Sequence, residues 1–277
     1  MNTGPLKLFS GGRRANRDAA WRLHVEPGET AMPRHDWKAH LNRWSSSARR
    51  ELGTLVLLLL VFASAWAFLE VADEVRENDT QAIDRQVILA MREPADLSDP
   101  IGPHWVEEIG RDFTALGGNG FLTLLTLSVV GYLYLDKKPH AAVFVVVAVG
   151  GGFLLSTLLK ELFDRPRPDL VPHGSFTYTA SFPSGHSMLS AVTYLTLGAL
   201  LARLQTRRVL KAYLLGMAAV FTLLVGVSRV YLGVHWPTDV LAGWSAGAAW
   251  AILCWTVARF LQRRGRVEHE PEEPPEA

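Results

Sequence analysis

Six apolar stretches of about 20 residues follow one another along this chain, each able to cross a hydrocarbon core about 30 Å thick at about 1.5 Å per residue. They cover residues 52–71, 117–135, 141–159, 187–202, 209–227 and 240–261. The fourth is the shortest. Hydrophobic residues make up 49% of the 277, and the mean hydropathy is positive, so little room is left for a soluble fold. The expected fold class is all-α: a polytopic membrane protein with six transmembrane helices.

The charges between the stretches give an orientation. Residues 1–50 carry ten Lys or Arg against four acids. Lys137 and Lys138 follow the second stretch, Arg203, Arg207, Arg208 and Lys211 separate the fourth and fifth, and Arg259, Arg263, Arg264 and Arg266 end the sixth. By the positive-inside rule these connections are cytoplasmic. The connection from residue 73 to 112 has eleven acids and four arginines, which places it on the other side and both termini in the cytoplasm. No apolar run precedes residue 50, so the first span is expected to serve as the insertion signal, without a cleaved leader.

Three regions follow: a basic cytoplasmic segment at 1–50, a six-span domain at 51–262 and a disordered, acidic, Pro-rich tail at 263–277. In the first external connection, Ile83, Val87, Ala90 and Met91 recur at helical spacing, which predicts a short extracytoplasmic amphipathic helix at the membrane surface. Gly150, Gly151 and Gly152 permit close helix packing. A lone Cys254 excludes an internal disulfide or a cysteine metal cluster, and the basic residues are spread as topology signals, which argues against nucleic acid.

Chemistry concentrates in three blocks. Lys160 ends the third span, and Arg165-Pro166-Arg167-Pro168 follows it; each proline favours an extended conformation in the arginine before it. Pro183-Ser184-Gly185-His186 directly precedes the fourth span, so Ser184 is placed as an N-cap and the next amides point out of a helix N-terminus, which suits an anion. Ser228-Arg229 closes the fifth span. Pro237 suits the first turn of the sixth, and His235 and Asp239, four apart, share a face if that turn is helical. The carboxylate is then able to hold one ring nitrogen and leave the other unprotonated. All three blocks fall at membrane boundaries on the same expected side, where charges are costly unless they serve a site or pair with one another.

The order and spacing resemble the type 2 phosphatidic acid phosphatase superfamily, which includes bacterial acid phosphatases and vanadium haloperoxidases. Its first block, Lys, six residues and Arg-Pro, is matched by Lys160 through Pro168, and its Pro-Ser-Gly-His block by residues 183–186. Ser228, Arg229, His235 and Asp239 match the third. The resemblance implies that His235 is the nucleophile, Asp239 its orienting partner and His186 the general acid. It implies that Lys160, Arg167, Ser184, Gly185 and Arg229 bind the phosphoryl oxygens. Arg165 matches no required position and is left outside the expected site.

The expected reaction is metal-independent and cofactor-free hydrolysis through a phosphohistidine. Lys160, Arg167 and Arg229 take the charge-neutralising role, because acid–base chemistry worth about 10^2–10^4 is far too little for a phosphate ester. A site at the membrane boundary favours lipid phosphates or prenyl diphosphates as substrates: undecaprenyl diphosphate, phosphatidylglycerol phosphate or phosphatidate. The alternatives are a vanadate-dependent peroxidase and a non-catalytic lipid-phosphate binding or transport protein. A bacterial inner membrane with an extracytoplasmic active site is the expected location.

Overall fold

The structure is a computed structural model and describes residues 37–170 and 179–263. The chain divides into two units, Met1–Ser47 and Ala48–Ala277, and the second carries the fold described below. Most of the basic N-terminal segment and the acidic tail lie outside the described residues.

The described residues form eight helices, with backbone hydrogen bonds closed inside each one, as a hydrocarbon environment demands. Five have the length and composition to span a membrane. These are the Glu51–Glu77 part of α1 (Trp37–Glu77), α5 (Pro139–Leu162), α6 (Gly185–Arg203), α7 (Arg208–Tyr231) and the Pro237–Gln262 part of α8 (Pro237–Arg263). Leu58, Phe62, Val147, Leu158, Val220 and Leu223 are all exposed on their surfaces. So large an apolar surface would be a liability in water and is ordinary against lipid tails.

The second expected span takes another form. α4 (Asn119–Leu135) has 17 residues and reaches only about 25 Å. It is preceded by α3 (His104–Leu116), inclined to it by 49°, and the two taken as one bent span have the length and composition of a sixth crossing. The break falls where the chain lies tight against α7: a Cβ on Gly117 would stand 2.3 Å from Val225 Cγ1. α3 bears Glu107, Glu108, Arg111 and Asp112, so no apolar run announces it.

α6 is the most enclosed span and packs against α5, α7 and α8. Its buried side chains are mostly small or polar, including Ser187, Ser190, Ala191, Thr193, Thr196 and Gly198. Such residues let helices approach where no hydrophobic force drives them together. Glycines on the neighbours complete the fit: a Cβ on Gly243 would meet the Ser184 carbonyl oxygen at 2.7 Å, and one on Gly247 the Met188 carbonyl oxygen at 2.5 Å. In the triple-glycine run, Gly151 packs on Trp250 and Gly152 on Val192, while Gly150 faces open space.

The first connection holds α2 (Gln81–Leu89) and a small antiparallel ribbon of β1 (Arg92–Glu93) and β2 (Asp96–Pro100), the ribbon not being anticipated from sequence. The amphipathic stripe of α2 differs from the expected one. Ile83 and Ala90 are exposed, and the buried face is Asp84 with Ile88, which packs on Val230 and Val240 with Val87 and Met91 alongside. The helix thus turns a carboxylate inward, onto the end of the bundle where α7 finishes and α8 begins.

Candidate active site

α5 and α7 finish at the end of the bundle where α6 and α8 start, so the three sequence blocks come together there. Lys160 lies in the last turn of α5, Arg229 in the last turn of α7, Ser184 at the N-cap of α6 and Asp239 in the first turn of α8. Pro237 opens α8, where its missing N–H costs nothing. Ser184 Oγ accepts from the Ser187 amide at 3.5 Å, and its own amide donates to the Asp239 carbonyl at 2.9 Å, which ties the two helix starts together.

His235 sits between α7 and α8 and is buried, with Asp239 on one side of its ring and Arg167 on the other. Nδ1 lies 3.4 Å from Asp239 Oδ2, and Nε2 lies 3.2 Å from Arg167 Nη1. A proton on Nδ1, facing the carboxylate, leaves the Nε2 lone pair toward Arg167. Burial pushes the His235 pKa down to about 3, although Asp239 pulls the other way, so the ring is neutral near pH 7.

Two of the cations are held by backbone carbonyls. Lys160 Nζ donates to Ala180 O at 2.7 Å, and Arg167 donates to Val234 O at 2.9 Å and Thr179 O at 3.2 Å. Burial lowers the Arg167 pKa and Asp239 opposes the shift; the guanidinium stays charged. Arg229 is buried: Nη1 donates to Thr114 Oγ1 on α3 at 3.0 Å, while Nε has no partner among the described residues. An orphaned charged donor of this kind costs about 1–3 kcal/mol or more unless an anion meets it.

Gly185 lies against Lys160, whose Cε would be 3.4 Å from an added Cβ. His186 is within electrostatic reach of Arg229, His235, Lys160 and Arg167. Every residue of the expected site is therefore in one cluster, which joins cationic donors, a helix N-terminus and two imidazoles. Such a cluster is suited to hold a phosphoryl group and move protons around it. Among the described residues, no three His, Cys, Asp or Glu side chains group as metal ligands.

Four further residues belong to the cluster, and the motif reading left them out. Arg165 donates from Nη1 to Asp239 Oδ1 at 2.6 Å and from Nη2 to Asp84 Oδ2 at 2.7 Å. Ser181 Oγ donates to Asp239 Oδ2 at 2.5 Å, and Thr114 supports Arg229. The Pro-flanked arginine was a visible signal for Arg165. Asp84 and Thr114 are ordinary residues far off in sequence, and nothing local marks them.

The PAP2 superfamily profile matches residues 141–263. Phosphatidylglycerophosphatase B of Bacillus subtilis is 34% identical over 186 residues, which cover 65% of this chain and 85% of that protein. The chain belongs to the PAP2 superfamily, and to its membrane-spanning members. The crystal structure of a transmembrane PAP2-type phosphatidylglycerolphosphate phosphatase from Bacillus subtilis is similar, with a TM-score of 0.65 at 30% identity over 73% of this chain and 98% of that one. Lipid A 1-phosphatase of Rhizobium etli is 28% identical, over 56% of this chain and 74% of its own. The relatives are thus phosphatases of lipids, with different headgroups.

Proposed function

We propose that this chain hydrolyses the phosphate monoester or diphosphate of a membrane lipid through a phosphohistidine. The observation that carries the reading is the placing of His235 between Asp239 and Arg167, with Nε2 at 3.2 Å from the guanidinium. In the reaction, Nε2 of His235 attacks phosphorus in line while His186 protonates the departing lipid oxygen. Water then gives a proton to His186 and attacks the phosphohistidine, the N–P bond breaks, and phosphate leaves with both histidines restored.

Lys160, Arg167 and Arg229, with Ser184 and the Gly185 amide at the start of α6, bind the phosphoryl oxygens. They stabilise charge in the transition state, which supplies most of the acceleration. Asp239 fixes the His235 tautomer and stabilises the positive charge that the ring gains on attack.

The substrate class follows from the site's place at the end of a membrane bundle and from relatives named for phosphatidylglycerophosphate, lipid A and, in Sulfolobus acidocaldarius, undecaprenyl diphosphate. Phosphatidylglycerol phosphate is our first choice, since its phosphatase supports the reading over the longest alignment among these. The charge pattern of the connections supports a site outside the cytoplasm, and the bacterial relatives support an inner membrane, with the basic segment 1–50 and the tail 263–277 read as cytoplasmic flanks of a six-span domain at 51–262.

The test is phosphate release in detergent with EDTA, from phosphatidylglycerol phosphate, undecaprenyl diphosphate, phosphatidate and a soluble aryl phosphate, by wild type and His235→Ala. Release by wild type alone supports a metal-independent histidine phosphatase. Release lost with EDTA, or kept by His235→Ala, overturns the mechanism, and no release by folded wild type favours a binding or transport protein. Vanadate should inhibit; halide oxidation with peroxide and vanadate would mark a peroxidase instead.

A further inference from the structure

We propose that Arg165 is a positioning residue for this reaction: it holds Asp239 by one oxygen so that the other is left to orient His235. The proposal rests on reading His235 as the nucleophile.

Asp239 is fully buried and offers two oxygens. Oδ1 takes Arg165 Nη1 at 2.6 Å. Oδ2 takes the Ser181 hydroxyl at 2.5 Å, the Trp236 amide at 3.0 Å and His235 Nδ1 at 3.4 Å. A carboxylate free to turn about its Cβ–Cγ bond would lose its alignment with the imidazole, and the guanidinium on Oδ1 fixes its plane together with the Ser181 hydroxyl and the Trp236 amide on Oδ2. The same pairing with Arg165 sets a cation against the carboxylate on the side away from the Oδ2 contact with Nδ1.

Arg165 is itself fixed from behind. Its Nη2 donates to Asp84 Oδ2 at 2.7 Å and to Thr80 Oγ1 at 3.2 Å, and its guanidinium carbon lies 5.6 Å from the centre of the Trp236 ring. Asp84 is locked to the start of α8, accepting from the Thr238 amide at 3.0 Å and the Thr238 hydroxyl at 2.6 Å. One planar fork thus joins two buried carboxylates from distant parts of the chain, which a lysine ammonium cannot reproduce. Both Nη atoms of Arg165 are engaged within the protein, Nη1 by Asp239 and Thr238 and Nη2 by Asp84 and Thr80, whereas Arg167 Nη1 faces His235. Arg165 therefore acts through Asp239 and does not contact phosphate.

The test uses the full chain in detergent with phosphatidylglycerol phosphate and compares wild type, Arg165→Ala, Arg165→Lys and His235→Ala, each with its unfolding midpoint. For Arg165→Ala, kcat should fall roughly 10- to 100-fold, the size of one charge-assisted hydrogen bond, with KM within about twofold. Added guanidinium ion should restore part of that kcat and none in His235→Ala, a rescue that loss of a purely structural contact would not show. Arg165→Lys, the variant to read if Arg165→Ala does not fold, should lose about tenfold in kcat with KM held.

Wild-type kcat in either variant, a loss carried by KM, or a kcat loss in Arg165→Ala that guanidinium leaves untouched overturns the proposal. The control separates the two failures. An active His235→Ala overturns the nucleophile assignment and this proposal with it, while an inactive His235→Ala beside a fully active Arg165→Lys overturns this proposal alone.

Discussion

Arg167 holds a guanidinium nitrogen 3.2 Å from Nε2 of His235, and the same nitrogen donates to the Val234 carbonyl at 2.9 Å. Its other nitrogens reach the Thr179 carbonyl and hydroxyl, so the fork is aimed by Val234 and Thr179 together. In the proposed reaction this places a fixed cation beside the bond being made. Arg167→Lys keeps the charge and loses the fork, so kcat/KM should fall about 10^2-fold, with the unfolding midpoint little changed. Steady-state kinetics on the purified variant check it, and a variant within threefold of wild type would remove Arg167 from the phosphoryl cradle.

Arg229 depends on a residue outside every motif. Its Nη1 donates to Thr114 Oγ1 at 3.0 Å, from the last turn of α3. Thr114→Val is nearly isosteric and leaves a buried charged donor without that acceptor. A tenfold fall in kcat/KM is expected, roughly the value of one such bond, together with a lower unfolding midpoint because the buried donor loses its acceptor. If kinetics are unchanged while stability falls, Thr114 supports α3 packing and not Arg229.

What the sequence disclosed, and what it did not, follows from how each signal is carried. Spans facing lipid are long and apolar and were legible; α6 was the least so, because it is enclosed by other helices and packs through Ser, Thr and Gly. The bent pair of α3 and α4 was half-visible, since α3 carries charges on one face. Within the site, residues at fixed spacing around Pro and Gly were readable, and Asp84 was not. Its stripe was misread because the polar residue faces inward and the apolar Ile83 outward, which inverts the usual pattern for a surface helix.

Close packing sets a sharp contrast between two glycines. A Cβ on Gly226 would lie 2.2 Å from Trp244 Cζ2, inside any tolerable contact, and the indole cannot swing away without giving up its hydrogen bond to Thr222 O at 3.0 Å. Gly226→Ala should therefore cost about 1–3 kcal/mol, as overpacking does. Gly150 has nothing within 4 Å of an added Cβ, so Gly150→Ala should be neutral or stabilise by up to about 1 kcal/mol. Unfolding midpoints of the two variants in one detergent test the pair, and equal midpoints would contradict the packing of α7 on α8.

The pH dependence of stability follows from His235. Its folded pKa, about 3, is depressed below the ordinary value of 6.5 because the ring is buried, so below pH 6.5 the unfolded chain binds the proton more readily than the folded one. The stability linked to this group is complete above about pH 6.5 and is lost as pH falls toward 3, with a slope of at most about 1.4 kcal/mol per pH unit. His235→Asn removes the titrating group, so between pH 7 and 4 its midpoint should fall less than that of wild type. The same depression keeps the nucleophilic nitrogen unprotonated through the neutral range. The acid limb of kcat/KM should accordingly not show a His235 titration near 6.5, and parallel stability profiles for the two proteins would show that the ring titrates as if exposed.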